Sequence, residues 1–132
     1  MNVFTNSMFP VSNGRTLNGH AGQFIEEGRK AGALAEKERD YGDIALAESR
    51  RRAESDSALA EIARWHYTQA VRLYGEALGA FELAGRIELP EKYRKYVELR
   101  IKRCRDEMAG AGARIEELDA NAERLSPPTE AG

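Results

Sequence analysis

Apolar side chains recur at alternating steps of four and three along most of this chain. From Leu59 the series Ala63, Tyr67, Ala70, Tyr74, Ala77, Phe81 and Ala84 keeps that rhythm without a break, which places every member on one face of an α-helix. Val71, Leu73 and Leu78 widen the face, and Arg64, Gln69, Arg72, Glu76 and Glu82 fall mostly opposite it. Residues 58–85 therefore read as one amphipathic helix. Gly85 suits a left-handed terminal turn, and Pro90 cannot continue a helix. Beyond it, Val97, Ile101, Cys104, Met108, Ala111, Ile115 and Leu118 repeat the rhythm, extended by Ala122 and Leu125, which predicts a helix over 91–124. Two long helices joined by a few residues are antiparallel neighbours, packed near the +20° crossing of bundles.

Upstream, Phe24, Gly28, Ala31 and Ala35 share one face of a helix over 21–39, a face built of small residues. Asp40-Tyr41-Gly42-Asp43 interrupts that pattern with a glycine and a candidate N-cap, as a turn or a kink, before a polar, Ala-rich helix resumes over 43–57. Whether that helix runs on into 58–85 is left open by the pattern. Residues 1–20 form an irregular arm, rich in Asn, Ser and Gly, with Pro10 and Asn-Gly steps at Asn13-Gly14 and Asn18-Gly19. The arm carries Phe4, Met8, Phe9, Val11 and Leu17, so part of it is expected to dock on the helices or on a partner. The tail at 126–132 has two prolines and no apolar anchor and is expected to be disordered. The fold class that follows is all-α, a long antiparallel helical hairpin within a three- or four-helix bundle, with the helical domain at 21–125.

Composition narrows the class without altering this picture. The chain has 132 residues, 42% hydrophobic and 32% charged, too apolar for full disorder and too charged for a membrane protein. Its longest uncharged stretches are far shorter than the ~20 residues of a membrane helix. The N-terminus lacks the basic start and apolar core of a secretory signal, and the single cysteine, Cys104, suits a reducing compartment, so the expected location is cytoplasmic.

No chemistry-bearing constellation stands out. His20 follows an Asn-Gly step and reads as solvated, while His66 adjoins Trp65 and reads as capping the edge of a packed face. Cys104 falls on the apolar stripe, where a small buried hydrophobe is expected and a catalytic thiolate is not. The glycines have no preceding strand and no following Lys-Ser/Thr, which excludes a phosphate loop. Neither a catalytic set nor a cofactor or metal site is expected, and the chain reads as a non-enzyme.

Charge is more informative. Lys92, Arg94, Lys95, Arg100, Lys102, Arg103 and Arg105 outweigh Glu91 and Glu98, and Tyr93 and Tyr96 lie among them. Such a basic patch suits an acidic segment of a partner or a nucleic-acid backbone. An acidic block from Asp106 onward cancels it, leaving a formal net charge of −2. That dipolar layout fits a mixed-charge protein interface or head-to-tail self-association better than a chain built to wrap nucleic acid.

The run Tyr67-x-x-Ala70-x-x-Leu73-Tyr74-x-x-Ala77-Leu78-x-x-Phe81 resembles the second helix of MIT domains, three-helix modules that bind short peptide helices, and is similar to the helical pairs of tetratricopeptide repeats. Residues 99–109 look like the third MIT helix. No Gly-Asp or Gly-Asn turn lies between Leu59 and Tyr67, where both families place one. The resemblance implies a groove for a partner helix, lined by Tyr93, Tyr96, Ile101 and Arg105.

A final helix of some 34 residues spans about 50 Å, which leaves Ala111 to Leu125 with an apolar stripe and no long intramolecular partner unless the first helices cover it. The functional expectation is therefore a protein–protein interaction module acting as adaptor, inhibitor or regulatory subunit. Its expected contact residues are Trp65, Tyr93, Tyr96, Arg100, Arg103, Arg105, Ile115 and Leu118, and a homodimer is its simplest form. The alternative is a nucleic-acid-associated protein using residues 92–105. No membrane and no small-molecule substrate is expected.

Overall fold

A computed structural model describes residues 19–52 and 57–125. It contains three helices, α1 (Gly19–Arg51), α2 (Ser57–Gly85) and α3 (Glu91–Leu125), and no strand among the described residues. The docking of the N-terminal arm and the state of the tail lie outside the described residues, although Gly19 and His20, expected within the arm, form the first turn of α1. No described helix is long and apolar enough to cross a membrane.

α2 ends at Gly85 without the left-handed turn expected there, since its φ is not positive, and Pro90 stands just before the next helix. Arg86 and Ile87 donate their backbone N–H groups to the carbonyls of Leu83 and Ala84, tightening the end of α2. The Pro90 carbonyl then accepts from the N–H groups of Tyr93 and Arg94, at 3.0 and 2.9 Å, which opens α3. Glu91 in its first turn carries the charge favoured by the helix dipole.

One expectation is overturned. Asp40-Tyr41-Gly42-Asp43 is neither turn nor kink: α1 runs unbroken through it, so the helix expected over 21–39 and the one expected to start at 43 are a single helix that ends at Arg51. Gly42 is there for packing. A Cβ at this position would lie 2.8 Å from the Tyr67 ring, and a Cβ on Gly28 would lie 2.8 Å from the Phe81 ring. The two glycines are two heptads apart on α1, and the two aromatic residues are two heptads apart on α2. Midway between them, the same antiparallel register sets Ala35 against Tyr74, both buried. Each large ring thus occupies a socket left by a small residue, and the two backbones approach closely along this length.

The chain reverses between α1 and α2, whose pairing is the most extensive of the three. α2 is therefore the middle element, with α1 and α3 both antiparallel to it and parallel to each other. The core falls into two clusters. One gathers Leu46, Ala63, Tyr67, Leu73, Tyr74, Ala111 and Leu118, and the other gathers Ile25, Ala77, Phe81, Ala84, Val97 and Cys104. Leu118 is only 8% exposed, and Ile115 packs against the first cluster. The part of the distal α3 stripe from Ala111 to Leu118, expected to lack a long intramolecular partner unless the first helices cover it, is covered from within the chain, because the unbroken α1 and the start of α2 reach it, whereas Ala122 is exposed.

Candidate interaction surface

Successive residues on a helix are rotated by about 100°, so the α1–α2 seam has two distinct sides. On one side Arg39, Asp43 and Arg50 face α3. Glu36 pairs with Arg103 at 3.1 Å, Arg39 with Glu107, and Arg50 with Glu117 at 3.3 Å. These pairs fix the parallel register of α1 and α3, whose backbones otherwise approach little. A groove of about 520 Å³ lies there, lined by Arg39, Asp43, Tyr67, Glu107 and Arg114 among others. The Tyr67 hydroxyl donates to the Asp43 carboxylate. Burial first, and that hydrogen bond second, push the Tyr67 phenol well above its ordinary pKa. A proton held so firmly serves no acid–base chemistry near neutrality.

The other side of the seam is open. Tyr41, Ile44, Ala45 and Glu48 of α1 and Leu59, Ile62 and His66 of α2 line a groove of about 490 Å³ with mainly apolar walls, and no residue of α3 reaches it. Tyr41 is 46%, Ile44 66%, Ile62 48% and Trp65 56% exposed. His66 organises its centre. Its Nδ1 lies 2.7 Å from Glu38 Oε1 across the seam, and its ring stands 5.4 Å from Tyr41 and 5.0 Å, edge-on, from Trp65. An ordered aromatic trio beside two exposed isoleucines is the composition that protein interfaces favour.

Of the residues expected at a contact surface, Trp65 alone lies on this face. Tyr93 and Leu118 are buried. Tyr96 stands edge-to-face on Phe81, with Arg100 stacked over the same ring at 5.5 Å. The basic patch is largely answered within the chain. Lys95 pairs with Glu91, Lys102 with Asp106, Arg103 with Glu36 and Arg105 with Glu82. Arg51 and Arg52 likewise pair with Glu48. Of Tyr93, Tyr96, Ile101 and Arg105, Tyr93 is buried, Tyr96 and Ile101 pack against the second core cluster, and Arg105 is exposed. Residues missed by sequence reasoning were Tyr41, Ile44 and Ile62. Their signal was there, as apolar residues three apart lying off the main stripes.

Among the described residues no group of three or more His, Cys, Asp or Glu could hold a metal ion. Burial raises the pKa of the Cys104 thiol, against a nucleophilic role. No family model, no curated protein and no solved structure matches the chain.

Proposed function

We propose that this chain is a non-enzymatic interaction module that binds another protein, a second copy of itself included, through the open side of the α1–α2 seam. The carrying observation is the clustering of the exposed Tyr41, Ile44 and Ile62 around one apolar groove, with the exposed Trp65 ring against His66 of its lining. Scattered apolar residues are ordinary on a surface, whereas a contiguous set around a groove marks a contact site. The groove runs between two antiparallel helices, which suits an amphipathic helix laid along it. An adaptor or regulatory subunit acts in this way, by holding a partner without transforming it.

Nucleic-acid binding is the weaker reading, since four of the seven basic residues in 92–105 already pair with carboxylates and Arg100 stacks on Phe81. Capture from the native host on immobilised wild-type chain, on Ile44→Asp/Ile62→Asp and on Leu99→Asp tests the choice. Leu99 is an equally exposed residue elsewhere on the surface. Partners lost only with the double variant, and retained after nuclease and in high salt, support the proposal. Partners released by salt or nuclease and indifferent to the double variant overturn it.

A further inference from the structure

We infer that the partner of the open α1–α2 face is a second copy of this chain, turned end for end so that α1 lies antiparallel on α1 and α2 on α2 in a symmetric dimer. This rests on the reading of that face as the contact surface.

The order of charges along the face carries this. On α1, Lys37, Tyr41, Ile44 and Glu48 follow one another at steps of four, three and four, and on α2, Glu61, Trp65 and Arg72 follow at four and seven, so each set shares one stripe of its helix. The register that sets Gly42 against Tyr67 and Gly28 against Phe81 puts Lys37 level with Arg72 and Glu48 level with Glu61. The apolar patch thus has a positive row at one end and a negative row at the other. Lys37 and Glu61 are exposed and form no ion pair among the described residues. Arg72 holds Glu76, and Glu48 holds Arg51 and Arg52, but solvent-exposed pairs within one helix contribute little and leave oxygens and N–H groups to share.

A second copy can meet this face running the same way, which sets Lys37 over its Arg72 and Glu48 over its Glu61. It can also run the opposite way, about a two-fold axis midway between Tyr41 and Ile44, which sets Lys37 over its Glu48 and Arg72 over its Glu61. The first arrangement pairs like charges and the second pairs opposite ones, so the second is favoured. Glu38 and Asp40 then fall opposite Ala47 and Ala45 and meet no like charge. The same axis lays Tyr41 on the second copy's Ile44, and a two-fold closes the assembly at two. Area agrees with this. The exposed parts of Tyr41, Ile44, Ile62 and Trp65 amount to on the order of 400 Å² of mainly apolar surface per copy. Two copies, with the charged rows and groove walls between them, approach the ~1,200 Å² at which specific interfaces begin.

Sedimentation equilibrium of the full chain tests this on wild type, Ile44→Asp/Ile62→Asp, Lys37→Glu, Glu48→Lys and Lys37→Glu/Glu48→Lys, with circular dichroism confirming equal helix content. Wild type should dimerise at micromolar concentration, and acrylamide quenching of Trp65, the sole tryptophan, should fall over the same range. Ile44→Asp/Ile62→Asp should stay monomeric. Each single charge reversal turns two symmetry-related attractions into repulsions and should weaken the dimer about tenfold, and the double reversal should restore it.

Single reversals that tighten the dimer, or a double reversal that restores nothing, overturn the inference, because the copies then meet in another arrangement. A dimer indifferent to Ile44→Asp/Ile62→Asp overturns it by placing the contact on another face. A wild type still monomeric at ~500 µM overturns it as well, and leaves the proposed function to the capture experiment, whose partner is a different protein.

Discussion

The close approach of α1 and α2 makes a prediction that runs against helix propensity. Replacing a helical glycine by alanine ordinarily stabilises by about 1 kcal/mol, because alanine loses less backbone entropy on folding. At Gly110, where a Cβ would meet nothing within 4 Å, Gly110→Ala should show that full gain. At Gly42 the new methyl would lie 2.8 Å from the Tyr67 ring, 0.6 Å short of the 3.4 Å at which ordinary contact begins. Tyr67 cannot swing aside, being fully buried and tied through its hydroxyl to Asp43. Overpacking of this kind costs about 1–3 kcal/mol. Gly42→Ala should therefore be destabilising by about 1 kcal/mol net, and Gly28→Ala, set against Phe81, by a similar amount. The gap between either variant and Gly110→Ala is about 2 kcal/mol, readable as a shift in urea midpoint by circular dichroism at unchanged m-value. Gly28→Ala combined with Phe81→Leu should recover part of the loss and depart from additivity by about 1 kcal/mol. If Gly28→Ala and Gly42→Ala stabilise as much as Gly110→Ala, the socket register is wrong.

Other predictions concern the core and its ion pairs. Tyr74 is buried, and its hydroxyl has no hydrogen-bond partner among the described residues, so Tyr74→Phe should leave urea stability unchanged or raised, whereas Tyr67→Phe should cost about 1–2 kcal/mol. Burial pushes the Tyr74 phenol up to about 12, above its unfolded value of about 10. Its contribution is therefore complete below pH ~10 and lost as pH rises toward 12, and Tyr74→Phe should flatten the alkaline limb of a pH–stability curve. A two-pronged hydrogen bond from Arg64, at 2.7 and 3.1 Å, holds the Asp119 carboxyl below the usual carboxylate range. The stabilisation from this pair is thus present above pH ~4 and disappears as pH falls further, and Asp119→Asn should remove that acid dependence. Leu118→Ala should cost about 2–4 kcal/mol in chemical denaturation, as a core truncation does; a cost below 0.5 kcal/mol would place that side chain at a free surface instead.

Much of the architecture could be read from the spacing of Tyr67, Tyr74 and Phe81 and of Val97, Cys104 and Ala111, because a helix that buries one face must repeat apolar residues along it. The glycines were harder. Gly42 inside Asp-Tyr-Gly-Asp carries every local mark of a turn, and only the Tyr67 ring, distant in sequence, explains its place in a helix. The matched spacing of Gly28 and Gly42 on one helix and Phe81 and Tyr67 on the other was the available clue. The proposed interaction surface was less legible still. Ile44 and Ile62 lie off the stripes, but whether they are covered depends on which side of the seam α3 takes. The pairing of the basic patch was hidden for a related reason, since the carboxylates that answer Arg103 and Arg105 sit on other helices at Glu36 and Glu82.

The central claim is that binding runs through the open α1–α2 face and not through the basic stretch of α3. Calorimetric titration of a purified captured partner onto wild type, Ile62→Asp and Arg94→Glu decides between them most directly. Ile62→Asp should weaken binding by at least 2 kcal/mol, roughly thirtyfold, as loss of an interface anchor does, with Arg94→Glu close to wild type. Unchanged affinity for Ile62→Asp alongside loss of binding for Arg94→Glu would contradict the account.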